Sequence, residues 1–252
     1  MAIQIYDPKT ASGDIWILEL RTGILSRVTA EPRSANTAEW SPDGRDLVYS
    51  SNRSGAYVLY RRVLGEARER AILPSMKDLY PSQWLRDGSL LLLNAWGRSL
   101  LRLAPEEGAK PETLLSTNYS NDEARVSPDG RWVVYNSEES GRWEVYLASF
   151  PGFSQRRQVS NHGGVQGCWR RDGKELFYLG LDGAMNSVQV KTEPTLESGI
   201  PRRLFQTRIP VNAVWDQYAV TGDGQRFLMF EEPESGARTF GLILNWPVLV
   251  KK

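Results

Sequence analysis

The chain has 252 residues, with 31 Lys and Arg against 30 Asp and Glu and a formal net charge of +1. So even a balance argues against a nucleic-acid or membrane surface as the main partner, and no window holds the roughly 18 apolar residues of a membrane span. One cysteine, Cys168, and one histidine, His162, exclude an intrachain disulfide and the common structural zinc sites.

In chain order, the opening "MAIQIYDPKTASGD" lacks the basic stretch and apolar core of a signal peptide. The runs "IQIYD" (3–7), "DIWILEL" (14–20) and "LSRVT" (25–29) read as three strands. Then a unit starts to recur. "EWSPDGRDLVYSS", "QWLRDGSLLLLNA", "RVSPDGRWVVYNS", "CWRRDGKELFYLG" and "AVTGDGQRFLMFE" carry Asp43, Asp87, Asp129, Asp172 and Asp223, spaced 44, 42, 43 and 51 residues apart. Each Asp-Gly predicts a tight turn: the carboxylate bonds backbone nearby and Gly takes the positive φ. The runs that follow are nearly continuous apolar strands, as expected of strands covered on both faces. Third strands are read in "YVLYRRV", "WEVYLASF", "NSVQVKT" and "FGLILNW", and weaker fourth strands in "ERAILP", "ETLLST", "RRQVS" and "RRLFQT". The one tolerable helical window, Leu64 to Leu73, is short.

A four-stranded antiparallel unit of about 40 residues with both faces buried is the blade of a β-propeller. The fold class expected is therefore all-β: a single propeller of six blades, near 1–34, 35–76, 77–118, 119–162, 163–208 and 209–252, with five blades as the alternative. The first and last blades are incomplete, and "VLVKK" at the C-terminus is the segment that would supply a missing strand.

The "WSPDG…YSSNRSG" pattern resembles the TolB-type, or PD40, class of WD40-like propeller repeats. "SPDGRWVVYNSEESGRWEVYLASFPG", "CWRRDGKELFYLGLDGAMNSVQVKT", "GIPRRLFQTRI" and "LILNW" resemble the extracytoplasmic propeller of bacterial membrane serine/threonine protein kinases of the acidobacterial type. That resemblance implies a sensing or protein-binding role and an extracytoplasmic place in the parent protein. The chain holds no kinase motif, so no catalytic residue carries over. Propellers of this type also resemble the gating domain of prolyl oligopeptidases, but no Gly-x-Ser-x-Gly elbow is present.

Residues one to four places before the repeated aromatic position (Trp40, Trp84, Trp169) are expected to ring one mouth of a channel. They are Asn36, Glu39, Tyr80, Gln83, Asp122, Arg125, Gln166, Asp216 and Gln217, with Glu123 and Trp215 beside them. The mix suits a protein, a peptide or a small polar ligand, with no cofactor required. Asp122, Glu123 and Asp216 are placed just before first strands. As oxygen ligands, Asp122 and Asp216 would suit a hard cation such as Ca²⁺; as carboxylates they would suit glycoside chemistry. Trp96 and Trp215 are loop aromatics beside charge, the kind that anchors a partner or caps a core. Trp16, Trp132, Trp143 and Trp246 are placed on strands in the core. The leading functional expectation is a non-catalytic binding or sensor module. The alternatives are a hydrolase or lyase acting on glycan or peptide, and a fragment without independent function.

Overall fold

The five Asp-Gly turns form as their chemistry requires. In the computed structural model, Asp43, Asp87, Asp129, Asp172 and Asp223 each accept through Oδ1 the backbone N–H two residues on, at 2.9–3.2 Å. The glycine that follows has φ between 71° and 86° in every copy. At Asp43 the hydroxyl of Ser41 leads in holding the carboxyl below its ordinary range, followed by the Arg45 amide. These carboxylates are turn builders.

The structure describes residues 1–7, 9–10, 12–30, 33–66, 68–94, 97–104, 108–193, 195–231 and 239–244. The expectations for Trp96, Trp246 and "VLVKK" fall outside them. Two compact units are present, Met1–Ser116 and Thr117–Lys252.

The first unit holds three sheets. One has three strands, β1 (Ala2–Asp7), β2 (Ser12–Leu18) and β3 (Leu25–Arg27). The next has β4 (Ala35–Trp40), β5 (Asp46–Ser51), β6 (Val58–Val63) and β7 (Glu69–Ile72), and the third β8 (Leu79–Trp84), β9 (Leu90–Asn94), β10 (Ser99–Leu103) and β11 (Glu112–Ser116). The second unit begins with β12 (Asn121–Val126), β13 (Trp132–Ser137), β14 (Glu144–Ser149) and β15 (Arg156–Gln158). A five-stranded sheet follows: β16 (Val165–Trp169), β17 (Glu175–Leu179), β18 (Ala184–Lys191), β19 (Glu197–Ser198) and β20 (Arg202–Gln206). The last sheet has β21 (Tyr218–Val220), β22 (Arg226–Glu231) and β23 (Thr239–Leu244). All pairings are antiparallel between consecutive strands, except that β20 returns to β18 beside β19.

The fold class is the all-β propeller of antiparallel blades. Four sheets are complete blades and two are three-stranded, and the blade number is five, the alternative to the six expected. The second strands β5, β13 and β17 are buried at every position, which explains their apolar cores Leu47–Tyr49, Trp132–Tyr135 and Leu176–Leu179; the buried polar residues stand at their ends. The cores lie between neighbouring sheets: Val134, Leu147, Leu176 and Val188 form one such layer, Val48, Leu59, Leu92 and Leu101 another. Each such side chain contributes about 1.5–3 kcal/mol by burial.

Two local readings are corrected. The helical window Leu64–Leu73 is a turn at Gly65 (φ 85°) followed by β7, because pairing with β6 satisfies its backbone better than one isolated helical turn would. Asp122 and Glu123 lie inside β12, not ahead of it, because the strand starts at Asn121. The strands β10 and β19 were not singled out from sequence. Trp132 is buried on β13, Trp16 is partly buried on β2, and Trp143 sits one residue before β14, packed on a core cluster.

A clasp recurs in both units. After β3, Thr29 Oγ1 accepts the Ile15 amide at 2.9 Å and donates to Asp14 at 2.9 Å. After β15, Ser160 Oγ accepts the Val145 amide at 2.8 Å and donates to Glu144. Each ties a strand, β2 or β14, to the segment that follows its neighbour, β3 or β15.

Candidate functional site

The first strand of every complete blade carries a one-residue bulge. The pairing slips between Asn36 and Glu39, Pro81 and Gln83, Asp122 and Arg125, and Val165 and Cys168. Counted back from the repeated aromatic position, the bulges coincide. Three residues before that position stand Thr37, Pro81, Glu123 and Gln166. Thr37, Glu123 and Gln166 have φ of 46°, 49° and 61°, a region that L-residues with side chains rarely occupy. Pro81 cannot, since its ring fixes φ near −65°. Bulges re-aim side chains, and strain of this kind persists only where surroundings over-determine it.

In the second unit those surroundings are polar and continuous. Glu123 is 5% exposed, and its Oε2 accepts from Asn136 Nδ2 at 2.7 Å. Asn136 Oδ1 accepts the Gln166 amide at 2.9 Å, joining one blade to the next. Gln166 Nε2 donates to the Asn212 carbonyl at 2.7 Å and to Gln217 Oε1 at 2.9 Å, while its Oε1 accepts the Gln217 amide at 2.9 Å. Gln217 Oε1 also accepts the Asn212 amide at 2.7 Å, and its Nε2 donates to the Pro210 carbonyl at 2.8 Å. The Tyr218 hydroxyl lies 2.6 Å from the Gln166 carbonyl and 3.0 Å from that of Phe177. The loop 210–217 is thus held by side chains of two sheets, Gln166 of one and Asn136 and Arg125 of the other, and by its own Gln217. It presents Val214, 51% exposed, and Trp215, 43% exposed, to solvent.

Beside that loop, Arg125 Nη2 donates to Asp216 Oδ2 at 2.7 Å. Asp122 Oδ1 accepts the Glu123 amide at 2.8 Å. The guanidinium thus pairs with Asp216, one of the two carboxylates expected to suit Ca²⁺, and its charge also acts on Asp122. Among the described residues no group of three His, Cys, Asp or Glu side chains is gathered for a metal ion. Burial pushes the Asp122 carboxyl up to about 7, with the charge of Asp216 adding and Arg125 opposing. Burial also raises Glu123 well above the carboxylate range, followed by the charges of Asp216 and Asp122. An acid whose folded pKa is raised binds its proton more tightly folded than unfolded, so stability falls as pH climbs between the two values. For Asp122 that window runs from about pH 4 to about pH 7. Urea unfolding across this range is expected to show less loss of stability with pH in Asp122→Asn than in the unaltered chain. Parallel curves would refute the assignment.

Within the first unit, Asn36 and Glu39 lie on β4 and Tyr80 and Gln83 on β8, strands that pack side by side. Asn36 is buried; the other three are partly buried. The Tyr80 ring is 5.4 Å from that of Tyr57, and burial, joined by the Asp78 charge, pushes its hydroxyl up to about 12. Ser50 Oγ donates to the Leu79 carbonyl at 2.6 Å, the bond from second strand to next blade that Asn136 makes in the other unit. Of the eleven expected residues, the seven of the second unit gather around the 210–217 loop. Asn136, Asn212 and Tyr218 were missed. A signal existed for Asn136: Ser50, Asn94 and Asn136 recur as one polar position in otherwise apolar strands.

The profile of the family described as TolB beta propeller domain (PD40) matches residues 4–171. Over 125 residues the chain is 30% identical to an uncharacterized protein of Agrobacterium fabrum, covering 48% of this chain and 41% of that one. Over 154 residues it is 29% identical to Tricorn protease homolog 1 of Streptomyces coelicolor, covering 57% of this chain and 14% of that one. The matched stretch thus spans less than half the length of either curated relative. The crystal structure of TolB from Acinetobacter baumannii superposes with a TM-score of 0.77 at 17% identity, over 97% of this chain and 60% of that one, a likeness of fold.

Proposed function

The chain belongs to the TolB beta propeller domain family, and from that premise we propose that it is a non-catalytic binding module whose 210–217 loop takes a protein or peptide partner. The observation that carries this reading is the pairing of a solvent-facing Val214–Trp215 with a polar relay that fixes the loop from below. An aromatic anchor on a preorganised loop loses little freedom on binding, which is where interface energy concentrates. The Arg125–Asp216 pair at its side gives the rim both signs of charge. The finer form of the reading, suggested by the sequence resemblance, is the sensor part of a membrane serine/threonine kinase.

The test is selection from a displayed random peptide library on the immobilised chain, repeated on Trp215→Ala. Binders are expected whose Kd rises by about tenfold or more in the variant, while its unfolding midpoint stays within error. A set of binders indifferent to Trp215 would discard the loop as the contact.

A second reading rests on Asp122. A carboxyl raised to about 7 beside a second buried acid is the electrostatic pattern of a general acid. It would make the chain a hydrolase or lyase acting on glycan or peptide. Against it, Asp216 is engaged by Arg125 and Glu123 is closed off from solvent. Turnover of chromogenic glycan or peptide substrates that disappears in both Asp122→Asn and Asp216→Asn would replace the binding reading with this one.

A further inference from the structure

A cleft lies on the Asp-Gly turn side of the fourth and fifth sheets, away from the 210–217 loop residues. Its main cavity, about 830 Å³, runs between the Asp129 and Asp172 turns and the finger formed by the end of β18 and β19. A second cavity of about 650 Å³ shares Arg131, Thr192 and Glu193 with the first and is walled further by Trp132. Ligand pockets commonly measure about 300–1,000 Å³.

We propose that this cleft binds an extended peptide segment carrying both charges. The walls define what such a ligand must offer. The Trp132 indole Nε1 is buried and has no hydrogen-bond partner among the described residues, so a ligand carbonyl oxygen reaching it would satisfy a donor that otherwise costs about 1–3 kcal/mol. Arg131 spans the wall common to both cavities, donating to Glu193 at 2.8 Å and pairing with Asp129 at 2.9 Å. All three side chains stay 40–71% exposed and so remain open to exchange with a ligand. Lys174 is exposed, and its charge acts on the exposed Asp172 carboxyl, an interaction that a ligand carboxylate can exchange with. Ile200, 89% exposed, stands beside the wall residue Gly199 as an apolar point at the rim.

Other ligand classes fit less well. A polyanion needs a positive groove, yet Asp129, Asp172, Glu193 and Glu197 outnumber the three basic side chains of the wall. A sugar needs an exposed aromatic platform, and Trp132 is only 8% exposed. A peptide backbone supplies donors and acceptors together, and its side chains supply both charges.

The experiment selects from the displayed random peptide library on the Trp215→Ala chain, so that the loop cannot contribute. Enriched peptides are expected to contain acidic and basic residues and to bind measurably by fluorescence anisotropy. Lys174→Glu and Arg131→Ala should each weaken them about tenfold. Trp132→Phe should weaken them several-fold at an unchanged circular dichroism spectrum; if that variant fails to fold, the two surface variants decide. The proposal is overturned if nothing is enriched, if binders ignore Lys174→Glu and Arg131→Ala, or if oligo-dT or maltohexaose competes equally well. Because selection is done without Trp215, its failure is separate from failure of the loop reading.

Discussion

Gly167→Val is expected to cost the second unit more than about 3 kcal/mol, and Gly167→Ala about 1–3 kcal/mol. A Cβ built on Gly167 falls 2.5 Å from Val134 Cγ2 and 3.2 Å from Val145 Cγ1, side chains of the preceding sheet. The glycine is not in the left-handed region, so the cost is steric crowding, not lost backbone freedom. Alanine would by itself restrict the unfolded chain and stabilise by about 0.4–1 kcal/mol. The clash outweighs that, because a contact of 2.5 Å against the body of a buried β-branched side chain has no free direction of relief. The corresponding positions of the other complete blades hold Ala38, Ser82 and Ala124. A small residue is thus required wherever a first strand presses on its neighbour. Urea unfolding followed by tryptophan fluorescence checks the result. Val134→Ala should recover part of the Gly167→Ala loss, a coupling that appears only if the two side chains compete for one space. An unfolding midpoint unchanged in Gly167→Ala would remove the packing argument.

Glu144→Ala is expected to cost about 2–4 kcal/mol. The Glu144 side chain is 0% exposed, and it accepts from Arg142 Nε at 2.7 Å, from the Gly163 amide at 3.0 Å and from Ser160 Oγ. Truncation leaves the Gly163 amide without its acceptor in a buried place. Arg142 can turn to water, since its side chain is 53% exposed, so the loss comes mostly from the uncharged donors. Asp14 holds the equivalent place in the first sheet and is 17% exposed, with Arg27 at 2.5 Å. Water can replace part of what Asp14 gives, so Asp14→Ala should cost less, about 1 kcal/mol. Glu144→Gln keeps one acceptor oxygen and should fall between. Thermal unfolding of the three variants side by side tests the order. Equal losses at positions 14 and 144 would show that burial does not set the strength of the clasp.

The hairpins were legible because their physics is local. The Asp-Gly pair and the residues on either side of it fix a turn within a few positions, whatever the rest of the chain does. The second strands were legible because burial on both faces favours consecutive apolar residues in their centres, as in Leu90–Leu93 and Val133–Val134. The segment Leu64–Leu73 was open to both helix and strand, and only pairing with β6 decided it.

The candidate site was half legible. Counting back from the repeated aromatic position found Asp122, Arg125, Gln166, Asp216 and Gln217, because a repeat puts equivalent residues at equivalent depth. It did not find what they do to each other. Gln166 meets Asn212 and Gln217 across 46 and 51 residues, and Arg125 meets Asp216 across 91. Asp122 and Asp216 were expected to suit a cation from their placement along the repeat. That Arg125 pairs with Asp216 depends on where one flexible side chain comes to rest.

The residue order alone therefore determined the period, the turns, the strand faces and the all-β class, since each follows from interactions within a few positions or from burial repeated at a fixed interval. Tertiary structure alone decided the positive φ of Thr37, Glu123 and Gln166, residues with no preference of their own for that region. It also decided the size limit at Gly167, the raised carboxyls of Asp122 and Glu123, and the cleft beside Trp132. Each of these arises where atoms from different sheets meet at contact distance, and a sequence specifies such meetings only through the packed whole.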